Sequence, residues 1–187
     1  MRQALLVETM RFEVREVARP VPARDEVLIA VEAAGICGSD LHTYHGANPV
    51  IRLPVVVGHE CAGRVVEGGT DQGLKPGMVV AVEPDAPCGE CAYCRAGQTH
   101  LCDAMRFVGG LTYDGAFAEY IIAPVRSAVP LPEHVLAKAL GPVCRGPVSS
   151  SHRAWIAAHC EPLVRRPARL VTSATVRLDL IQVTLLV

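Results

Sequence analysis

Gly35-Ile36-Cys37-Gly38-Ser39-Asp40-Leu41-His42 and, a short way on, Gly58-His59-Glu60-Cys61-Ala62-Gly63-Arg64-Val65-Val66-Glu67-Gly68 are the two stretches on which the fold turns. Each follows an apolar extended segment. Residues 26–34, rich in Val and Ile, run into the first; the brief apolar run 54–57 stops at Gly58 before the second, and residues 59–67 resume an extended pattern. Gly35 ends the first strand and opens a polar loop with Cys37, Ser39, Asp40 and His42, so Cys37 and His59 are expected at strand ends, where both could lie over one cleft.

Working outward, the same short-strand rhythm continues. Residues 3–7 form an apolar strand, and 11–17 alternate polar and apolar as a half-buried strand does. Pro20 and Pro22 punctuate, Lys75-Pro76-Gly77 reads as a turn, and 78–82 are five apolar residues in a row. Asp114-Gly115 is a hairpin-like turn, and 118–123 and 126–131 are the next strands. Many short strands at this spacing predict a mainly β fold, a barrel or sandwich, with minor α. The 187 residues hold one good domain or two small ones. The pattern changes near residue 140. Residues 141–169 have little periodicity and much Arg, Pro and Ser, and 170–187 become β-like again. We therefore divide the chain into 1–140 and a divergent tail, 141–187.

Between 84 and 102 lies a loop packed with Cys, Gly and Pro. Cys88, Cys91, Cys94 and Cys102 form C-x2-C-x2-C-x7-C. Zinc takes four such thiolates at tetrahedral corners about 2.3 Å from the metal. The two-residue gaps let a tight turn aim successive sulfurs at one point, with Gly89 and Gly97 supplying backbone freedom. Four cysteines leave no open position, so the site reads as structural. An iron–sulfur cluster and four unrelated reduced cysteines are the other readings of the same spacing, the latter disfavoured because buried free cysteines do not gather in polar loops. Cys37 and His59 are different: a catalytic zinc wants three protein ligands and one open position. These two residues supply a pair, and Glu60 is a candidate third, directly or through water.

Together these segments resemble the zinc-dependent medium-chain dehydrogenases, the alcohol, sorbitol, threonine and butanediol dehydrogenase superfamily. The residues carrying the resemblance are 35–42, 58–69, the four-cysteine loop and Gly115-Ala116-Phe117-Ala118-Glu119-Tyr120. It covers residues 1 to about 135 and implies a GroES-like β-barrel catalytic domain, followed in the family by a Rossmann domain that holds NAD or NADP. It implies Cys37 and His59 as catalytic zinc ligands with Glu60 as the neighbouring acid. Ser39 falls at the hydroxyl that hydrogen-bonds the substrate oxygen, His42 at a proton-relay histidine, and Asp40 at the acid that orients the ligand histidine. The implied activity is oxidation of a secondary alcohol or polyol, with NAD or NADP as hydride acceptor.

Two departures qualify that expectation. No G-x-G-x-x-G occurs anywhere in the chain: Gly68-Gly69 and Gly109-Gly110 have the wrong spacing, and Gly146 is the last glycine. The Rossmann half is expected to be absent and the chain inactive by itself. Polyol-type relatives place a Glu-Pro after the barrel, and that Glu completes the zinc site; here the stretch reads Ala139-Leu140-Gly141-Pro142-Val143, and Gly141 has no side chain to bind metal. Cys144 lies nearby as a lesser candidate; Cys61, Cys144 and Cys160 all read first as small apolar fillers. The tail reads as a truncated or frame-shifted product or, as the second choice, as a returning segment of the catalytic domain. The rival to the enzymatic reading is a non-enzymatic zinc-binding β-barrel fragment or interaction module.

Composition narrows the rest. Eighteen basic against nineteen acidic residues give a formal net charge of −1, with no basic stripe, so neither nucleic acid nor an anionic membrane is an expected partner. A small alcohol or polyol is; an oligomer is compatible with the sequence. No run of eighteen apolar residues suggests a membrane span, and Met1 leads directly into a strand pattern rather than a signal peptide. Eight cysteines without an export signal argue for metal ligands rather than disulfides and for a cytoplasmic protein.

Overall fold

The fold is described from a computed structural model, which describes residues 1–132 and Thr175–Arg177. Among the described residues ten strands and two short α-helices run in the order β1 (Arg2–Glu8), β2 (Arg11–Glu16), β3 (Glu26–Gly35), α1 (Gly38–Tyr44), β4 (Glu60–Gly68), β5 (Val79–Val82), β6 (Asp85–Ala86), α2 (Ala92–Arg95), β7 (Arg106–Phe107), β8 (Tyr120–Pro124), β9 (Ala128–Pro130) and β10 (Thr175–Arg177). The strands expected from periodicity are present within a residue or two of their bounds. The fold is mainly β, and every strand pairing among the described residues is antiparallel.

β3 is the spine. It pairs with β4 along most of its length, with β8 through Glu26–Ala30, and with β10 through Ala33–Gly35. β4 continues to β5 and β5 to β9, while β1–β2 and β6–β7 are separate two-stranded ribbons. Alternation along β3 sends Val27, Ile29 and Val31 into one core with Val65, Val80, Val108 and Ile121. Burying an aliphatic side chain of this size contributes about 1.5–3 kcal/mol, so this aliphatic set dominates the domain's stability. A second cluster, Leu6, Tyr44, Val55 and Val57 with Phe12 and Phe117 against it, packs β1 and α1 onto the approach to β4.

One expectation is corrected. Residues 35–42 read as a polar loop after β3, but Gly38–Tyr44 is a helix. Cys37 is its N-cap in an extended conformation, and the Asp40 carboxylate reaches back to accept the Cys37 N–H at 2.8 Å. That is the returning arm of a capping box, and Leu41 and Tyr44 supply the buried face. No membrane-crossing helix, long and apolar enough, occurs among the described residues. The boundary at 140, Gly141, Cys144, Cys160 and most of the tail lie outside the described residues; the exception, Thr175–Arg177, is a strand.

Candidate metal centres

The β3–β4 register builds the first centre. Gly35, the last residue of β3, stands opposite Glu60, the first of β4. In an antiparallel pair the residues just past one strand's end meet those just before its partner's start, so Cys37 and His59, 22 positions apart in the chain, arrive side by side. One ligand atom from each of Cys37, His59 and Glu60 lies within 4.8 Å of the others. Three ligands 2.0–2.3 Å from one tetrahedral ion sit about 3.5 Å apart, so small side-chain rotations would close the set.

Asp40 ties the centre together. It is 5% exposed; one carboxylate oxygen takes the Cys37 N–H and the other the Gly58 N–H at 3.2 Å. That second oxygen also lies 3.5 Å from His59 Nδ1. The Asp40 carboxylate, and after it Cys37, hold a proton on His59 up to a pKa of about 10, against the opposing effect of burial. Segment 115–117 braces the chain entering His59: Gly115 donates to Val56, Phe117 to Val57 and Ala116 to Gly58. Glu119, next along, clamps the N-terminus, accepting from the Arg2 backbone N–H at 2.8 Å and its guanidinium at 2.7–2.9 Å.

Glu60 carries a telling atom: its Oε1 is buried with no hydrogen-bond partner. A buried carboxylate oxygen left unpaired is costly, and a cation held with the Cys37 sulfur and the His59 ring would satisfy it. The donor set is one soft sulfur, one imidazole and one carboxylate, which fits zinc. Gly35 leaves room for the carboxylate in this place: a Cβ there would stand 2.5 Å from Glu60 Oε2 and push it aside. Ser39 and His42 are exposed on α1, three residues apart and so on neighbouring positions of one helix face.

The second centre is a lobe between β6 and β7. The sulfurs of Cys88, Cys91, Cys94 and Cys102 all lie within 4.8 Å of one another. Backbone N–H groups point at them: Cys91 and Glu90 donate to Cys88, Cys94 to Cys91, and Cys88 to Cys102. Such donors favour thiolate. The Cys94 N–H, ahead of other contacts, brings the Cys91 thiol down to about 6, whereas desolvation pushes Cys94 up to about 12. Four adjacent sulfurs cannot all ionise alone; a divalent cation removes that conflict.

Sequence reasoning missed Phe107 and Gly109. The Phe107 ring lies 5.8 Å from the His59 ring, centroid to centroid, with the planes at 47°. Gly109 has φ +137, and a Cβ there would come 2.8 Å from the His59 Cβ. The only signal was Gly109-Gly110, which has the wrong spacing for a nucleotide loop and instead lets the backbone pass close to the histidine.

Known proteins agree with this architecture. The alcohol dehydrogenase GroES-like domain model matches residues 23–133. The chain is 42% identical over 134 residues to an NAD-dependent alcohol dehydrogenase of Saccharolobus solfataricus, covering 66% of this chain and 38% of that protein. It is 39% identical over 151 residues to an L-threonine 3-dehydrogenase of Pyrococcus abyssi, covering 73% and 43%. Among solved structures it resembles the alcohol dehydrogenase of Thermus sp. ATN1, with a TM-score of 0.64 and 38% identity over 71% of this chain and 40% of that one. Galactitol-1-phosphate dehydrogenase from Escherichia coli is similar at a TM-score of 0.66 and 32% identity, over 71% and 38%. The chain thus spans about two fifths of the length of the curated relatives it matches. With the match running through both cysteine-bearing segments and the β3–β4 spine, the chain belongs to the alcohol dehydrogenase GroES-like domain family.

Proposed function

We propose that this chain is the metal-binding catalytic domain of a zinc-dependent oxidoreductase acting on a secondary alcohol or polyol with NAD or NADP. The observation that carries the reading is the convergence of Cys37, His59 and Glu60 around an unpartnered carboxylate oxygen, with Asp40 fixing the imidazole. Bound there, zinc would act as a Lewis acid on a substrate oxygen; a nicotinamide cofactor would accept hydride. The chain's own residues do the rest. Cys37, His59 and Glu60 hold the ion, and Asp40 faces Nδ1 of His59, which leaves Nε2 for the metal. Ser39 accepts the substrate's proton, and His42, on the exposed face of α1, passes it to solvent. Cys88, Cys91, Cys94 and Cys102 hold a second, structural zinc.

Because no nucleotide-binding fingerprint occurs in these 187 residues, they are expected to bind metal with little or no turnover by themselves: hydride transfer needs a nicotinamide held at near-attack distance. The test is metal content with activity. Two zinc ions per chain, falling to one in Cys37→Ser, with negligible alcohol oxidation in the presence of NAD or NADP, is the expected result. An unchanged metal content in Cys37→Ser would refute the first centre. Robust turnover by the chain alone would refute the claim that it is inactive.

A further inference from the structure

We propose that Phe107 is a positioning residue for His59, and that through it the metal affinity of the Cys37–His59–Glu60 centre depends on whether the four-cysteine lobe is loaded. This rests on the reading that both centres take zinc.

The connection is short and physical. The lobe enters and leaves through the β6–β7 ribbon, only two residues on each strand: Asp85 pairs with Phe107 and Ala86 with Arg106. Cys88 lies just beyond Ala86 and Cys102 just before β7. On the far side of the ribbon the Phe107 ring rests on the His59 ring, and the Gly109 backbone passes against the His59 Cβ. His59 is therefore held between two bodies: Asp40, carried by α1, at Nδ1, and Phe107, carried by the lobe's stem, against the ring. Both are needed to keep a ligand imidazole in one rotamer.

The stem is anchored on its core side, where Ala86 and Val108 are fully buried and the Pro87 carbonyl accepts from the Arg126 guanidinium. Beyond its pairing, Val108 donates to Pro84, and the Phe107 carbonyl accepts from Thr112 and Tyr113. The Arg106 guanidinium bridges Asp25 at 2.9 Å and the Tyr113 hydroxyl at 2.8 Å. The pairing itself spans only two residues on each strand, and so short a ribbon adds little stability of its own. Between Ala86 and Arg106 the ends are joined by a loop whose closure depends on four sulfurs meeting at one point. A metal there cross-links the loop and fixes the loop-side end of the stem; without it that end moves more freely, and the Phe107 ring is held less firmly against the imidazole. By linkage the dependence is mutual: an occupied first centre tightens the lobe by the same factor.

The experiment is a cobalt(II) titration of the metal-free full chain, followed by visible absorption, in which a four-thiolate site and a one-thiolate site give different bands. Cys37→Ser marks which band belongs to which centre. Wild type takes two ions. Phe107→Ala is expected to weaken the first centre about tenfold, the lower end for groups that support a metal ligand, while the lobe keeps its spectrum; Phe107→Tyr restores the affinity. Cys94→Ser, which disables the lobe and touches none of the first centre's ligands, is expected to weaken that centre comparably. If Phe107→Ala fails to fold, shown by loss of the lobe's band, Phe107→Leu and Cys94→Ser carry the test. Unchanged first-centre affinity in the folded Phe107 variant or in Cys94→Ser overturns the coupling and leaves the metal centre standing. A wild-type chain that loads only its lobe overturns both.

Discussion

In the function proposed above, the four-cysteine lobe and the Cys37–His59–Glu60 centre solve the same problem, holding a soft cation, from opposite ends of the chain's geometry. In the lobe all ligands come from one short excursion, and a one-turn helix, α2, with backbone N–H groups aims the sulfurs. In the other centre the ligands come from two strand ends, and the sheet register aims them. The lobe is local, exposed and self-contained. The first centre is non-local, half-buried and inherits its precision from the core. A local cluster should therefore depend on its metal for structure, whereas a register-built site should keep its shape and lose only affinity when a support is removed.

The largest expected effect tests the first half of that statement. Stripping zinc with a chelator should unfold the lobe first and lower the melting temperature by about 10 °C or more, since structural zinc sites contribute several kcal/mol of folding free energy. Differential scanning calorimetry with and without chelator, in wild type and Cys94→Ser, makes the measurement; an equal melting temperature in all samples would contradict a structural role.

Next in size, Asp40→Asn should separate the two centres. Its amide nitrogen would face a donor where Asp40 now accepts from Cys37, Gly58 or His59. First-centre zinc affinity should fall roughly 10–100-fold, while lobe affinity, measured by competition against a chromophoric chelator, should lose no more than the coupling factor of about tenfold.

The pH dependence is a subtler contrast. In the metal-free chain His59 is raised to about 10 from an ordinary 6.5, so its proton stabilises the fold fully below about 6.5, and that contribution disappears as pH climbs towards 10. Zinc requires the neutral ring, so binding expels this proton, and first-centre affinity should rise across the same interval. Calorimetric titrations of Cys94→Ser in buffers of different ionisation enthalpy would show the released proton; none released at pH 7–8 would sink the assignment.

The two regions were also unequally legible. The lobe is readable from spacing because its ligands are sequence neighbours. Strand positions followed from alternation and from short apolar runs. The helix α1 was hidden because Gly38, Ser39 and Asp40 carry turn chemistry as readily as capping chemistry, and the capping bond that decides it needs Cys37 held at a strand end. Phe107 was invisible for a more general reason: its contact with His59 joins residues far apart in sequence through a ribbon with no periodic signature.

The smallest expected effect concerns a support remote from both metals. Glu119 is held below the usual carboxylate range, first by the Arg2 backbone N–H and then by its guanidinium. The pair's contribution is present above the ordinary carboxylate value and is lost as pH falls through the lowered one. Glu119→Gln should cost roughly 0.5–1 kcal/mol at neutral pH, the pair being partly exposed, with both metal affinities intact; chemical denaturation at pH 7 and at pH 3 would show the difference shrinking.

Gly35 and Glu60, facing each other across the last rung of β3 and β4, have a consequence for the history of such a domain. A methyl group at 35 would stand against Glu60 Oε2, the far end of a flexible side chain, which can swing aside only by leaving its place beside Cys37 and His59. A lineage can therefore fill position 35 and keep the acid, and what it gives up is the acid's aim. Drift away from metal binding can begin with a single methyl group, before any ligand is replaced.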